Sequence, residues 1–197
     1  VAFPLAKDFE TVCLAAAKAV ETIVQSGCMP ILCGSLERMT AVARLIMQAD
    51  SIARVLQSAP QTLLHGDYWP GNISIDEDGR HVVYGWQSVG VGPGILDLLA
   101  FVLRSQRNLS PLPVEPAKLI SLYRYALATV TGVRWTEEEW DRLWDYAVMW
   151  RFLQEQLPEL ADPEVTGRKE RDEQLETLWL DPMTTAADRW LEKFVLI

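Results

Sequence analysis

Residues 65–72, with the sequence His-Gly-Asp-Tyr-Trp-Pro-Gly-Asn, are the stretch that most constrains how this chain folds. Asp67 and Asn72 lie five positions apart, a spacing typical of a phosphoryl-transfer loop. An aspartate at the first position can take a proton from an attacking hydroxyl. An asparagine at the second can reach the same centre as a neutral oxygen ligand for Mg²⁺. The pattern therefore predicts a fold that holds both side chains at one point.

Short β-rich runs surround this loop. They lie at residues 63–64, 73–75 and 81–84, and the sequence Asp-Glu-Asp-Gly at 76–79 predicts a hairpin turn between the last two. The glycine-rich stretch 90–94 contains no lysine and lacks the spacing of a phosphate cradle, so we expect a turn that leads into a helix.

Most of the remaining chain shows helical periodicity. Apolar residues at intervals of three and four predict helices over 8–26, from 36 to 57, from 95 and over 115–131, and Thr136 with Glu139 predicts a capping box. We expect an α+β fold, mostly helical, in which a small antiparallel β patch carries the loop. As a single domain, 1–197 would comprise leading helices in 1–60, the patch in 61–87 and a helical subdomain in 88–197.

Composition limits the functional classes. A net charge of −9 argues against binding of nucleic acid or of an anionic membrane surface. No apolar run approaches the ~20 residues that span a bilayer. The three cysteines, Cys13, Cys28 and Cys33, are an odd number without metal-site spacing, which favours a reducing cytoplasm.

Two further segments add to the loop motif. Residues 83–87 read Val-Tyr-Gly-Trp-Gln, and residues 97–100 read Asp-Leu-Leu-Ala. With them, residues 62–102 resemble the aminoglycoside/choline kinase-type phosphotransferase family, relatives of the protein kinases that act on small molecules. The resemblance implies the C-terminal lobe of a protein-kinase-like fold, with ATP and Mg²⁺ as cofactors and a small-molecule hydroxyl as substrate.

The resemblance also implies roles for individual residues. Asp67 corresponds to the general base and Asn72 to a Mg²⁺ ligand. His65 corresponds to a structural histidine that braces the loop. Asp97 matches an aspartate that ties its helix to the loop, although a helix-capping role alone would also explain it.

The chain departs from the family in two ways. Gly85 stands where the family has an aspartate that binds Mg²⁺. Loss of one electrostatic stabiliser of the transition state commonly lowers the reaction rate by a factor of ~10²–10³. Nothing before residue 62 looks like the nucleotide-covering lobe, so we expect that N-terminal lobe to be absent from this chain. We therefore expect weak or no ATP and Mg²⁺ binding and an inactive chain. The alternative is a pseudokinase-like binding module or scaffold. In either case, we expect a homodimer to cover the exposed face where the missing lobe should dock.

Trp140 and Trp144 share one face of a predicted helix. Core packing explains them, but an aromatic wall for a cationic head group is the second interpretation. Residues 137–176 carry 13 acidic against 5 basic residues, a solvated surface or an acidic wall that would suit a cationic substrate.

Overall fold

The computed structural model describes residues 5–27, 29–109, 111–162 and 169–193. Within them the chain divides into two compact units. The loop unit contains residues 60–141, and the helical unit contains residues 5–59 and 142–193. Of the cysteines, Cys28 lies outside the described residues, whereas Cys13 and Cys33 are thiols. The finer predicted division at residues 60 and 87 stays a prediction.

Helices dominate both units. In chain order they are α1 (Leu5–Ser26), α2 (Pro30–Cys33), α3 (Leu36–Met47), α4 (Ala49–Ser58), α5 (Ile95–Leu109), α6 (Pro116–Thr131), α7 (Glu137–Arg151), α8 (Leu157–Leu160), α9 (Lys169–Leu175) and α10 (Asp181–Trp190). Single π-helical stretches at Phe152–Gln156 and Glu176–Leu180 follow α7 and α9. Among the helices described, none combines the length and the apolar character that crossing a membrane requires.

The helical unit forms because its helices bury narrow apolar faces. Helix α1 packs against α4. The residues that they bury recur every three or four positions: Val12, Ala16, Ala19 and Ile23 on α1, and Ala49, Ile52, Ala53 and Leu56 on α4. This is the spacing of one helix face, and the alanines allow the two backbones to approach closely.

The single helix predicted from residue 36 to 57 is wrong, because α3 and α4 are separated at Gln48. Gln48 leaves the helical conformation, with φ −114° and ψ 18°. Its amide nitrogen donates to the carbonyl of Glu192 and its amide oxygen accepts from the Glu192 N–H, both at 3.2 Å. The break accompanies tertiary hydrogen bonds at a position that carries neither proline nor glycine.

Four short strands form the β part of the loop unit. They are β1 (Gln61–Leu64), β2 (Ile73–Ile75), β3 (His81–Val83) and β4 (Gly90–Pro93). Strand β1 pairs antiparallel with β4, and β2 pairs antiparallel with β3. The mostly helical α+β class with a small antiparallel patch is thus confirmed.

Two local predictions about this patch fare differently. The hairpin turn lies where it was predicted, with the Asp76 carboxylate accepting from the N–H groups of Asp78 and Arg80 at 3.0 and 2.8 Å. The turn predicted at 90–94 is limited to Gly94, which leads into α5 as expected, whereas Gly90–Pro93 is strand β4. Its glycines give no alternating hydrophobic pattern, and its pairing partner β1 lies about thirty residues earlier.

Candidate active site

The loop between β1 and β2 turns sharply at Gly66, whose φ is +81°. This left-handed conformation suits glycine, and here glycine is also needed for space. A Cβ at this position would stand 2.1 Å from the carbonyl oxygen of Ser88. The loop backbone is therefore pressed against the segment that precedes β4.

His65 lies under the loop and is 2% exposed. Its Nδ1 accepts a hydrogen bond from the N–H of Asp67 at 3.2 Å, so its Nε2 carries the proton and donates to the carbonyl of Tyr84 at 2.9 Å. The ring is thus a neutral imidazole that joins the loop to the end of β3. These contacts fit a bracing role better than proton transfer to a substrate.

Asp97 reaches the same loop from the first turn of α5. Its two carboxylate oxygens accept from the N–H groups of His65 at 2.6 Å and Gly66 at 3.0 Å. Of the two interpretations left open by the sequence, this geometry matches a tie between helix and loop. Charged acceptors make such bonds strong, which favours one loop conformation.

Asp67 and Asn72 converge. The Asn72 amide nitrogen donates to the Asp67 carbonyl at 2.8 Å and to Asp67 Oδ2 at 2.9 Å. Because both partners are oxygens, the amide nitrogen must face Asp67, which leaves Asn72 Oδ1 for a further partner. The two residues that the motif singles out thus share one centre.

Gly85 lies at the same centre. A Cβ on Gly85 would be 3.2 Å from Asn72 Nδ2 and 3.3 Å from Asn72 Oδ1. A side chain at position 85 would therefore stand directly over the Asn72 amide. Gly85 has φ +85° and ψ 37°, a conformation that aspartate adopts more readily than most residues.

Arg104 is a site residue that the sequence analysis missed. Its Nη1 donates to Asp67 Oδ1 and forms an ion pair with it. Arg104 follows Asp97 by seven positions, two helical turns, so both project from one face of α5. That i, i+7 spacing, once Asp97 is placed at the loop, was the available signal.

The donor set fits Mg²⁺ only in part. Mg²⁺ is commonly held by one or two carboxylates together with phosphate oxygens and water. Here Asn72 Oδ1 and the Asp67 carboxylate lie together, but Gly85 adds no oxygen beyond its carbonyl. Within the described residues, no three carboxylate, histidine or cysteine side chains gather as a metal site. The arrangement suits a metal ion brought by nucleotide phosphates better than one bound by the protein alone.

Two tryptophans are candidates for substrate contact. Trp140 is 4% exposed, and the Arg124 guanidinium lies over its ring at 5.6 Å from the centroid. That face already pairs with a cation of the protein itself. Trp144 belongs to the helical unit, whereas the loop belongs to the loop unit. Their contact with a substrate stays a prediction.

Comparison with known proteins agrees with the loop motif. Residues 33–118 match the model of the phosphotransferase enzyme family, APH. Searches among curated proteins and among solved structures gave no significant match. The matched segment contains every residue of the Asp67–Asn72–Gly85 centre as well as Asp97 and Arg104. The predicted resemblance of this chain to the aminoglycoside/choline kinase-type phosphotransferases is therefore confirmed over residues 33–118.

Proposed function

We propose that this chain carries the catalytic-loop lobe of an ATP-dependent phosphotransferase that acts on the hydroxyl of a small molecule. The observation that carries the proposal is the convergence of Asp67 and Asn72, 2.9 Å apart, within the segment that matches the family. Such positioning matters because catalysis of phosphoryl transfer consists mostly of orientation and charge stabilisation.

In the proposed reaction, Asp67 orients the substrate hydroxyl and takes its proton. The hydroxyl oxygen then bonds to the γ-phosphorus of ATP, and the bond from that phosphorus to the bridging oxygen of ADP breaks. Arg104 pairs with Asp67 and fixes one of its oxygens. A Mg²⁺ ion bound with ATP, for which Asn72 is the candidate ligand, would supply charge neutralisation on the phosphates.

The proposal includes low activity for the native chain. Gly85 leaves the centre without the carboxylate that the family places there. A binding module without catalysis is the second candidate, and Gly85 is also the observation that favours it. Thermal shift separates the two: stabilisation by ATP with Mg²⁺ supports the enzyme, whereas stabilisation only by a small amine or by a protein partner supports the module.

The decisive substitution is Gly85→Asp. It should tighten binding of ATP with Mg²⁺ by about tenfold or more, since even partners of metal ligands commonly contribute 10–100-fold. Titration calorimetry would measure the dissociation constant. The matched control is Gly79→Asp, because Gly79 also has a positive φ, +78°, but nothing within 4 Å of its Cβ position.

The control separates a site effect from the effect of adding charge and backbone strain. Equal nucleotide binding by Gly85→Asp and Gly79→Asp would contradict a metal-ligand position at residue 85. Absence of nucleotide binding from Gly85→Asp with an N-terminal lobe supplied would count against the catalytic assignment as a whole.

A further inference from the structure

The proposed phosphoryl-transfer centre contains one negative and one positive side chain that contact each other. Asp67 supplies the carboxylate and Arg104 supplies the guanidinium, and the two form an ion pair. Asn72 is neutral, and Gly85 brings no side chain to the place where the resemblance implies a second carboxylate. The Asp67–Arg104 pair therefore has no net charge, whereas two carboxylates at the same place would be doubly negative.

The carboxylate of Asp97 is another negative charge at this loop, and the loop backbone stabilises it. Its two oxygens accept hydrogen bonds from the N–H groups of His65 and Gly66. The His65 ring is a neutral imidazole and adds no charge. Arg104 is thus the side chain that brings a positive charge into contact with the proposed base.

Arg104 suits a second, anionic partner. It projects from α5 two helical turns after Asp97, and its side chain is 35% exposed, so an anion in solution can reach it. A guanidinium carries five N–H donors in a planar fork that matches the oxygens of a phosphate. The bond from Nη1 to Asp67 Oδ1 uses one of them. Arg104 can therefore hold Asp67 and contact a phosphate oxygen at the same time.

The same guanidinium disfavours a metal ion at this centre. Like charges repel each other, and the repulsion grows where solvent is partly excluded. Mg²⁺ is commonly bound through carboxylate oxygens, but Asp67 Oδ1 accepts from Arg104 and Asp67 Oδ2 accepts from Asn72. A phosphate, in contrast, meets a charged donor, and such hydrogen bonds are among the stronger ones in proteins.

We propose that Arg104 binds a phosphate oxygen directly, so that this centre recognises a polyphosphate chain without Mg²⁺. The inference rests on the proposed function for its class of ligand, because ATP carries such a chain. It goes beyond that function by assigning the neutralising charge to a side chain of the protein. Gly85 permits this role, because a carboxylate at position 85 would add a negative charge next to the Asn72 amide.

Inorganic tripolyphosphate is the probe, because it has the phosphates of ATP without the nucleoside and needs no nucleotide-covering lobe. Titration calorimetry of the native chain would compare binding in EDTA with binding in excess Mg²⁺. Binding in EDTA is expected, with dissociation constants in the two buffers within about threefold of each other. Binding that requires Mg²⁺, or no binding in either buffer, would overturn the proposal.

Gly85→Asp should make binding of the same probe depend on the metal. The added carboxylate repels tripolyphosphate in EDTA and attracts Mg²⁺ when the metal is present. Mg²⁺ should therefore tighten binding by about tenfold or more in this variant, as expected for a group that tunes a metal site. Binding that is as independent of Mg²⁺ in Gly85→Asp as in the native chain would count against the proposal.

Arginine substitutions locate the binding. Arg104→Gln removes the guanidinium and should weaken binding of tripolyphosphate in EDTA by about tenfold or more, the loss expected for a charge-assisted hydrogen bond. Arg104→Lys keeps the charge without the planar fork, so an intermediate loss is expected. Arg134→Gln, at an exposed position of the same unit, should leave binding unchanged. Equal weakening by Arg104→Gln and Arg134→Gln would contradict the assigned site.

A measurement on the native chain covers the case in which Arg104→Gln fails to fold. The backbone amide resonances of Gly66, Asp67 and Asn72 should shift and saturate as tripolyphosphate is added in EDTA. Shifts confined to residues outside the loop unit would overturn the proposal. Failure of this titration removes this inference alone, because Gly85→Asp with ATP, Mg²⁺ and an N-terminal lobe tests the proposed function separately.

Discussion

Two partners hold the Asp67 carboxylate, one on each oxygen. Asn72 donates to Oδ2, and Arg104 from helix α5 donates to Oδ1. A carboxylate fixed at both oxygens has little freedom to rotate. At the scale of single residues, this fixed orientation is what the proposed base requires, because a positioned group needs no reorganisation during reaction.

Replacing Arg104 with alanine should lower the free energy of unfolding by roughly 1–2 kcal/mol, because a partly buried carboxylate loses a charged donor. The two side chains are 35% and 22% exposed, so solvent screening keeps the loss below that of a fully buried pair. Urea unfolding in a double-mutant cycle with Asp67→Asn would measure the coupling. Arg134→Ala, at an exposed position of the same unit, is the control, and equal losses for both arginines would contradict the assigned pair.

Gly66 and Gly79 allow a second residue-scale prediction. Both have positive φ, +81° and +78°, so alanine costs about 1–2 kcal/mol at either position from backbone strain. At Gly66 the added Cβ also meets the Ser88 carbonyl at 2.1 Å, whereas at Gly79 it meets nothing within 4 Å. Gly66→Ala should therefore destabilise clearly more than Gly79→Ala in thermal unfolding. A smaller loss for Gly66→Ala would show that the loop does not pack as described.

At the scale of secondary-structure elements, hydrogen bonds between neighbouring residues mark where a helix begins. Helix α7 follows the capping box that the sequence predicts. The Thr136 N–H donates to Glu139 Oε2 at 2.8 Å, and the Glu139 N–H donates to Thr136 Oγ1 at 3.2 Å. The hydroxyl of Thr136 also donates to Glu139 Oε2, at 3.0 Å.

This box predicts a pH dependence. The backbone N–H of Thr136, and then its hydroxyl, hold the pKa of Glu139 below its usual value of 4.5. A lowered pKa in the folded state means that the stabilisation is fully present above pH 4.5 and is lost as the pH falls through the lowered pKa. Thr136→Ala should raise the pKa of Glu139 toward its usual value, as followed by NMR titration of its side chain. Thr129→Ala, on α6, should leave that pKa unchanged, and a shift of similar size in both variants would refute the box.

At the scale of the whole molecule, the buried side chain of Arg44 connects helices α3 and α10 of the helical unit. Arg44 on α3 is 4% exposed and donates to the carbonyls of Ala187, Leu191 and Glu192 at 2.5, 2.6 and 3.1 Å. These carbonyls lie in and after the last turn of α10, and the Ala187 carbonyl also accepts from the N–H of Leu191 at 3.0 Å. Arg44 thus connects α3 to the end of α10 across more than 140 positions of sequence.

Arg44→Met should destabilise the helical unit by about 2–3 kcal/mol, because the Leu191 carbonyl and the Asp188 carboxylate lose a charged donor. Arg54→Met is the control, since the Arg54 side chain is 77% exposed and, among the described residues, forms its ion pair with Asp50 on its own helix. Its expected change is within about 0.5 kcal/mol. Chemical unfolding followed by circular dichroism would compare them, and similar losses would contradict the assigned role of Arg44.

Sequence alone determined those features whose partners lie within a few residues. The loop motif, the hairpin turn at Asp76 and the capping box at Thr136 all depend on contacts across five positions or fewer. Helical periodicity likewise predicted α1, α5 and α6, because one helix face repeats every three or four residues. The roles of Asp67 and Asn72 come from the family resemblance. They stay predictions, although the structure brings the two side chains together.

Tertiary structure alone decided the rest, because the deciding partners are distant in sequence. Arg104 meets Asp67 across 37 positions, and Gln48 meets Glu192 across 144 positions, ending α3 where local sequence favours a continuous helix. Strand β4 exists because β1 offers it a hydrogen-bonding edge, not because glycines favour a strand. Local sequence limits the conformations of a segment, but only its distant neighbours select among them.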